Sequence, residues 1–575
     1  MKSPDRIIII LGLALILIIG LGLVMNQFGL FVRLQAALQN RSISAGMLDY
    51  GTMGQILKRL KIVRLVENDF NRFKKMDNKD NHLDIVTFQK KRQVSEHVYV
   101  ANPLAQTAFT STQYIQSIIT KKNWPIISIA IDPKHLNDPD KGILVNREKK
   151  GQEWERIAEI SYMENGVVQF ETYAGLRMHG GKRLTTQEFK PGFRLYFRKK
   201  YGLKAVPNRL VLPDLDIPLR TVVVQTTAWP PGFPINNPLA FDISTQIGCK
   251  VPGTRLVEIY LNGESYGMGY AMEHLSRRQW GQRFGHEDYL FFVWRKKNPI
   301  EDSVGYARKI RAAIENDLDP YLEKVSEDVD IDNLSRQIIS WIYSGTSDYC
   351  QGVAAFDRKN PDAKLFWINW DMDQSFWDLR ALESNLSREN WEQSGFKLFY
   401  RPGGEQPRDD CWRVNLYHRL RNESIEFRQA FISLFIEILN HRITQEFLHS
   451  RLKYYQTMLA AYGEPHYEYM TMLENFFEHR HDYLLTEAKE EFSLIGPFTC
   501  KVIVPSGISI IVDGYSYEGN YQGKYYFNTP VQLTISGEYS ENFKYWLVNG
   551  KKIYSQSVQL QLVEDISVVA FYNHH

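Results

Sequence analysis

The chain has 575 residues, 44% apolar and 23% charged, with 69 basic side chains against 66 acidic ones for a net charge of +3. A single core does not organise a chain of this length, so two or three folded units are expected. The composition excludes a disordered or collagen-like protein, and the near-neutral balance gives no electrostatic footing for nucleic acid.

After Lys2 and Arg6, residues 7–25 carry no charge and no proline. About 20 apolar residues cross a bilayer as a helix. No small-residue cleavage pattern follows Met25, so the stretch reads as a retained transmembrane anchor rather than a signal peptide. Lys2 and Arg6 orient it with the N-terminus inside, against Arg33 and Arg41 on the other flank. The expected protein is therefore single-pass, with its main domains extracytoplasmic. Residues 1–26 form the anchor and 27–122 a helical stalk or linker. Within the linker, Ile56, Leu60, Ile62, Val63 and Val66 follow a helical period among many basic residues. That pattern fits a packing helix with a solvated face, or one lying on anionic lipid.

From Trp124 the texture becomes strand-like. The runs PIISIAID, GILVN, VVQFETYAGLRMHG, FRLYFRKK, RLVEIYLNG and SYGMGYAME are predicted strands. The last two form a hairpin through Asn262-Gly263, a pair suited to positive φ. PLAFDISTQIG has helical spacing and closes at Gly248. A helix is expected from Ile331 to Tyr349, and LFWIN is a strand running into acids. From Glu423 to Glu491 the pattern is helical, interrupted only by Pro465. The last 80 residues hold short β runs between Gly, Asn and Ser turns, the spacing of a sandwich. Their Lys544–Gly550 stretch, KYWLVNG, resembles β modules of bacterial surface proteins, and a surface polymer or protein is the expected ligand.

Phosphate-loop, HExxH, GxSxG and HRD signatures are all missing. Cys249, Cys350, Cys411 and Cys500 are far apart and form no CxxC. This argues against a zinc site or disulfide scaffold and favours buried thiols, with one long-range disulfide open. His179 before Gly180-Gly181 reads as a hydrogen-bonded structural residue more readily than as a ligand. The block Trp370-Asp371-Met372-Asp373 is more pointed, because a strand end presenting one or two carboxylates suits Mg²⁺. Asp348 follows the helical QIISWIYSGTS. Phosphoryl transfer needs one carboxylate to orient the attacking hydroxyl and another to hold the metal, although aspartates in caps and turns also occupy such places.

An ordered set of motifs from Trp124 to about Phe492 resembles the spore-coat-protein-H (CotH) kinase family. These are PIISIAIDPKHLNDPDKGILVN, GLRMHGGKRLTTQEFKPGFRLYFRKKYG, TRLVEIYLNGESYGMGYAMEHL, KLFWINWDMDQSFW and FFEHRHDYLL. The resemblance implies an α+β fold: a CotH-type atypical protein-kinase-like domain over residues 123–495, with the all-β module at 496–575. It implies ATP, with Mg²⁺ or Mn²⁺, and transfer to Ser or Thr of a protein substrate. Lys190 resembles the nucleotide lysine, Asp348 the catalytic aspartate and Asp371 the metal aspartate, with Asp373 a second ligand or helper. Glu273 stands where a hinge backbone would meet adenine, and Arg177 and Arg183 flank the glycine pair within reach of phosphate. One departure is that no Asn follows Asp348. Gln351 offers an amide oxygen there on a longer arm, which leaves open a non-catalytic scaffold or a transferase of AMP or another group.

Overall fold

The computed structural model describes residues 124–180, 190–206, 212, 215, 217–226, 235–285, 289–293, 321–346, 353–357, 360, 362–376, 390–392, 395–396, 399, 411–463 and 466–573. The predicted anchor at 7–25 and the basic segment at 54–76 lie outside them. Among the described residues no helix is long and apolar enough to cross a membrane.

Seven strands close into a barrel: β1 (Ile126–Ala130), β2 (Arg156–Glu164), β3 (Val167–His179), β4 (Gly192–Tyr196), β5 (Thr221–Thr226), β6 (Thr254–Leu261) and β7 (Glu264–Glu273). Their order is β1-β2-β3-β4-β5-β7-β6, and β6 closes on β1 in parallel. Alternation selects the interior. Ile127, Ile129, Leu176, Leu195, Val222 and Val224 are all buried inside it, and alternate residues face outward. At the β6–β7 turn Asn262 and Gly263 take φ of 52° and 83°, the left-handed pair that the dipeptide predicts.

GILVN is not a strand. It folds back on helix α1 (Pro133–Asn137), with Gly142 N–H donating to Asp138 O at 2.8 Å and Ile143 N–H to His135 O at 2.8 Å. The Asp138 side chain accepts the Asp140 and Lys141 amides, and this local turn outcompetes a ladder.

Between β5 and β6 lies α2 (Asn236–Ile247), which ends at Gly248 as its spacing predicts. After β7 come α3 (Arg277–Arg283), β8 (Tyr289–Val293), α4 (Tyr321–Asp328), α5 (Ile331–Ser344), β9 (Val353–Asp357) and β10 (Phe366–Ile368), and β8–β10 form one small sheet. Helix α5 stops five residues short of the predicted Tyr349. Gly345 takes φ 60°, a left-handed cap that glycine adopts without a Cβ penalty.

Helix α6 (Trp412–Glu423) precedes the predicted helical stretch, which is three pieces: α7 (Ile425–Glu437), α8 (Gln445–Tyr462) and α9 (Tyr467–Phe492), with a π turn at Ile438–Arg442. Ser424 and Thr444 are the N-caps of α7 and α8, accepting from Phe427 N and Phe447 N.

The C-terminal strands, from Phe498–Ile503 to Ile566–Tyr572, form a five-stranded sheet and a four-stranded sheet. Trp546, Val502 and Leu533 of these sheets belong to the same apolar cluster as Leu484 and Phe435 of the helices.

Candidate functional site

Asn369, at the end of β10, is 1% exposed, and every part of its amide is used. It donates to the hydroxyls of Ser244 (3.2 Å) and Ser340 (3.1 Å), and its oxygen accepts from Gln337 at 2.7 Å. Gln337 in turn accepts from fully buried Arg413. This network fixes where the strand releases the acidic segment.

The segment is then clamped from three sides. From α2, Asn237 accepts the Met372 amide at 2.9 Å, and Asn236 donates to the carbonyls of Asp373 (3.1 Å) and Ser375 (2.9 Å). From α5, the Ser344 carbonyl accepts the Phe376 amide at 2.8 Å. From α9, Phe476 and Phe477 pack edge-on against Phe376. Asp371 is held at φ 58° and Phe376 at φ 63°. Left-handed backbone at a non-glycine residue is costly and clusters at functional sites. Asp371 is partly exposed, whereas Asp373 is 6% exposed.

The end of α5 is equally fixed. Fully buried Arg480 of α9 donates to the carbonyls of Tyr343 (3.0 Å), Ile342 (2.5 Å) and Trp391 (2.6 Å). Asp348 and Gln351 follow this clamp in the chain and lie, with Arg183, outside the described residues. Cys411 is disulfide-bonded while Cys249 and Cys500 are free, so the expectation of four thiols is corrected to the long-range disulfide.

The barrel residues singled out in the sequence fall in different places. Lys190 is exposed just before β4, its ammonium 3.2 Å from the Tyr266 carbonyl and 5.1 Å above the Tyr266 ring. Arg177 forks onto the carboxylate of Glu155 at 3.0 and 2.6 Å and lies over Tyr196, so its charge is already matched. Arg198 and Lys200 share that carboxylate. The Glu273 amide donates to Gly253 O at 2.9 Å, which takes it from any hinge ligand. Its fully buried carboxylate pairs with Arg283 at 2.8 Å, and burial raises its pKa to about 7. His179 accepts at Nδ1 from the Arg194 guanidinium at 2.9 Å, in keeping with a structural role.

Sequence reading passed over the outward face of β4, β5 and β7. Val223 and Met272 on this face join the core shared with α2, and Arg194 pairs with Val223 in register. Gln225, two residues beyond Val223, shares its face, as does His274 just past Met272. Glutamine in an apolar strand and a histidine after a hairpin carry no motif. The available signal was an isolated polar residue at an alternation-facing position.

Among the described residues no group of three or more His, Cys, Asp or Glu side chains is arranged to hold a metal ion. Asp371 and Asp373 are the two oxygen donors on one segment, and Mg²⁺ commonly takes one or two protein carboxylates beside substrate phosphates. The orphaned hydroxyls of Ser344, Thr346 and Ser375, buried beside this segment, fit a polar occupant.

Fold and site together define an α+β protein in which a closed barrel leads into a helical lobe that carries a clamped acidic loop. Residues 229–491 match the family model described as CotH kinase protein. Over that stretch the chain is similar to the CotH kinase family. The match takes in β6, β7 and the whole helical lobe, including Glu273, Asp348, Gln351, Asp371 and Asp373; β1–β5, with Arg177 and Lys190, precede it. No curated protein matches the chain.

Proposed function

We propose that this protein is a membrane-anchored kinase that transfers the γ-phosphoryl group of ATP to Ser or Thr hydroxyls of exported or surface proteins. The observation that carries the reading is the order of elements around the clamped Asp371. The connection from β3 to β4 precedes a further strand and a helix (β5, α2). A hairpin then enters a short connector (274–276). Helix α5, the Asp348 segment, two strands and Asp371 follow. Protein kinases run a phosphate-covering loop, a lysine strand, a helix, a catalytic loop and a metal-binding aspartate in this sequence.

In this reading the Asp348 carboxylate accepts the proton of the substrate hydroxyl. The hydroxyl oxygen forms the new bond to the γ-phosphorus, and the bond to the β–γ bridging oxygen breaks, leaving ADP. Asp371, with Asp373, would hold Mg²⁺ or Mn²⁺, whose charge would offset that of the phosphates. Lys190 contributes to the nucleotide only after its ammonium leaves Tyr266. The disulfide at Cys411 supports an oxidising compartment and thus an extracytoplasmic domain behind the anchor.

A second reading, a non-catalytic surface scaffold, is favoured by the missing Asn after Asp348 and by Gln225 in the strand where kinases carry lysine. Incubation of the full chain with γ-labelled ATP and Mg²⁺ separates the readings. Auto-labelling that Asp371→Gly abolishes supports the kinase. Wild type without labelling, or mass spectra with an adenylyl rather than a phosphoryl addition, refutes it. A C-terminal reporter found on the cytoplasmic side refutes the topology.

A further inference from the structure

On the outward face of β4, β5 and β7, the buried atoms Arg194 Nε, Gln225 Oε1 and His274 Nδ1 have no hydrogen-bond partner among the described residues. Native structures leave few such groups, and each calls for an explanation. Arg194 sits opposite Val223 and Val223 opposite Met272, so Arg194 lies on the row between Gln225, which is opposite Tyr270, and His274, two residues past Met272 in the other direction. The charge on Arg194 reaches His274, whose pKa falls to about 3, chiefly through burial and then through that guanidinium.

Arg194 differs from Arg177, Arg198 and Arg255, which have carboxylates, and from Arg156, whose guanidinium is taken up by the carbonyls of Lys141 and Glu153. Arg177 and Arg198 share Glu155, and Arg255 pairs with Glu164. Among the described residues Arg194 has no carboxylate. Its terminal nitrogens reach only the Tyr196 hydroxyl (3.3 Å) and His179 Nδ1 (2.9 Å). A half-buried cation without a counter-ion is expensive to keep unless an anion arrives. The planar guanidinium fork suits phosphate oxygens.

We propose that Arg194 is the cation that contacts the nucleotide phosphates, acting from β4 in place of a lysine on β5, where this chain has Gln225. The inference rests on the kinase reading and assigns its phosphate-binding charge. Gln225 supplies an amide but no charge at the position facing α2. Lys190 is exposed and turned onto Tyr266. His274, neutral, begins the connector at the other end of the same face, where a base rather than a phosphate fits.

Calorimetric titration of the full chain with ATP and Mg²⁺, and separately with adenosine, tests the assignment. Arg194→Met is expected to weaken ATP by about tenfold to a hundredfold, the loss of one charge-assisted contact, and to leave adenosine within about twofold. Adding Gln225→Lys to Arg194→Met restores a lysine to β5 and is expected to recover at least about half of the lost binding free energy. Gln225→Lys alone, which keeps Arg194, is expected to tighten ATP and provides the reading should the methionine variant fail to fold. Equal ATP affinity in wild type and Arg194→Met, or no gain from Gln225→Lys, overturns the inference while the kinase reading stands. Wild type that binds neither ATP nor adenosine overturns both.

Discussion

Asp371 combines a carboxylate with a backbone that most side chains avoid, and the two properties separate by mutation. Asp371→Gly removes the carboxylate and relieves the left-handed strain, so stability is expected to hold or rise by about 1 kcal/mol. Phosphoryl transfer is expected to fall more than about a hundredfold, because a metal that stabilises transferring phosphate is worth several kcal/mol. Urea unfolding and γ-label transfer measured on one preparation check both halves. A glycine variant that keeps turnover would remove Asp371 from the chemistry. The acids were legible because a carboxylate pair at a strand end is a chemical pattern in its own right. The positive φ was not legible, since it follows from the Asn236 and Asn237 bonds of a helix far away in sequence.

At the scale of elements, two helix ends hold the acidic loop, and each makes a prediction. Arg480 satisfies the last carbonyls of α5 from inside the core. Arg480→Met is expected to leave them unpaired and to destabilise the fold by about 3 kcal/mol or more, read as a lowered urea midpoint. Asn237→Ala loses two bonds, one from the Met372 amide and one to the Tyr270 hydroxyl, and is expected to cost about 2 kcal/mol. Its transfer rate should fall disproportionately, by about tenfold, because the loop that carries Asp371 loosens. Equal losses of rate and stability would assign Asn237 to folding alone. Local signals located the β6–β7 turn, the Gly248 cap and the strands of the barrel. They misplaced the end of α5 and the strand at GILVN, because a left-handed Gly345 and the bonds back to α1 are choices among competing local structures.

For the whole molecule, the C-terminal module is built onto the helical lobe. His441 of the π turn contacts Tyr517 OH (2.6 Å) and Asp513 (3.0 Å) and stacks on Tyr515. Asn440 bonds both backbone groups of Lys524, and Tyr526 OH donates to Leu485 O. Removal of residues 496–575 is therefore expected to expose core and lower the thermal midpoint by several degrees, or to cause aggregation. A truncated chain as stable as the full one would make the module an independent spacer.

Acid is a second global lever. Loss of solvent lowers the pKa of His274 to about 3 and those of His418 and His481 to about 4, below the ordinary 6.5. Unfolding lets each take a proton, so the stability is present above pH 6.5 and is lost as pH falls toward 4, by roughly 2 kcal/mol per histidine at pH 5. Glu159 and Glu273, both raised to about 7 by burial, oppose this by gaining stability as pH falls from 7 to 4.5. Three histidines against two carboxyls, with His135 also lowered, predict a modestly lower urea midpoint at pH 5 than at pH 7.5, and a higher midpoint at pH 5 would contradict neutral buried histidines.

Sequence alone determined what is written in local order and residue chemistry: an apolar stretch of membrane length, alternating strands, turn dipeptides, a carboxylate pair after a strand, and motifs in the order of a known family. Tertiary structure decided which charges are already matched. It turned Lys190 onto Tyr266, gave Arg177 to Glu155 and, among the described residues, left Arg194 without a carboxylate. Such pairings join residues from separate strands at a few ångströms, where Coulomb energy and desolvation are set by distance and burial, and neither quantity exists until the barrel closes.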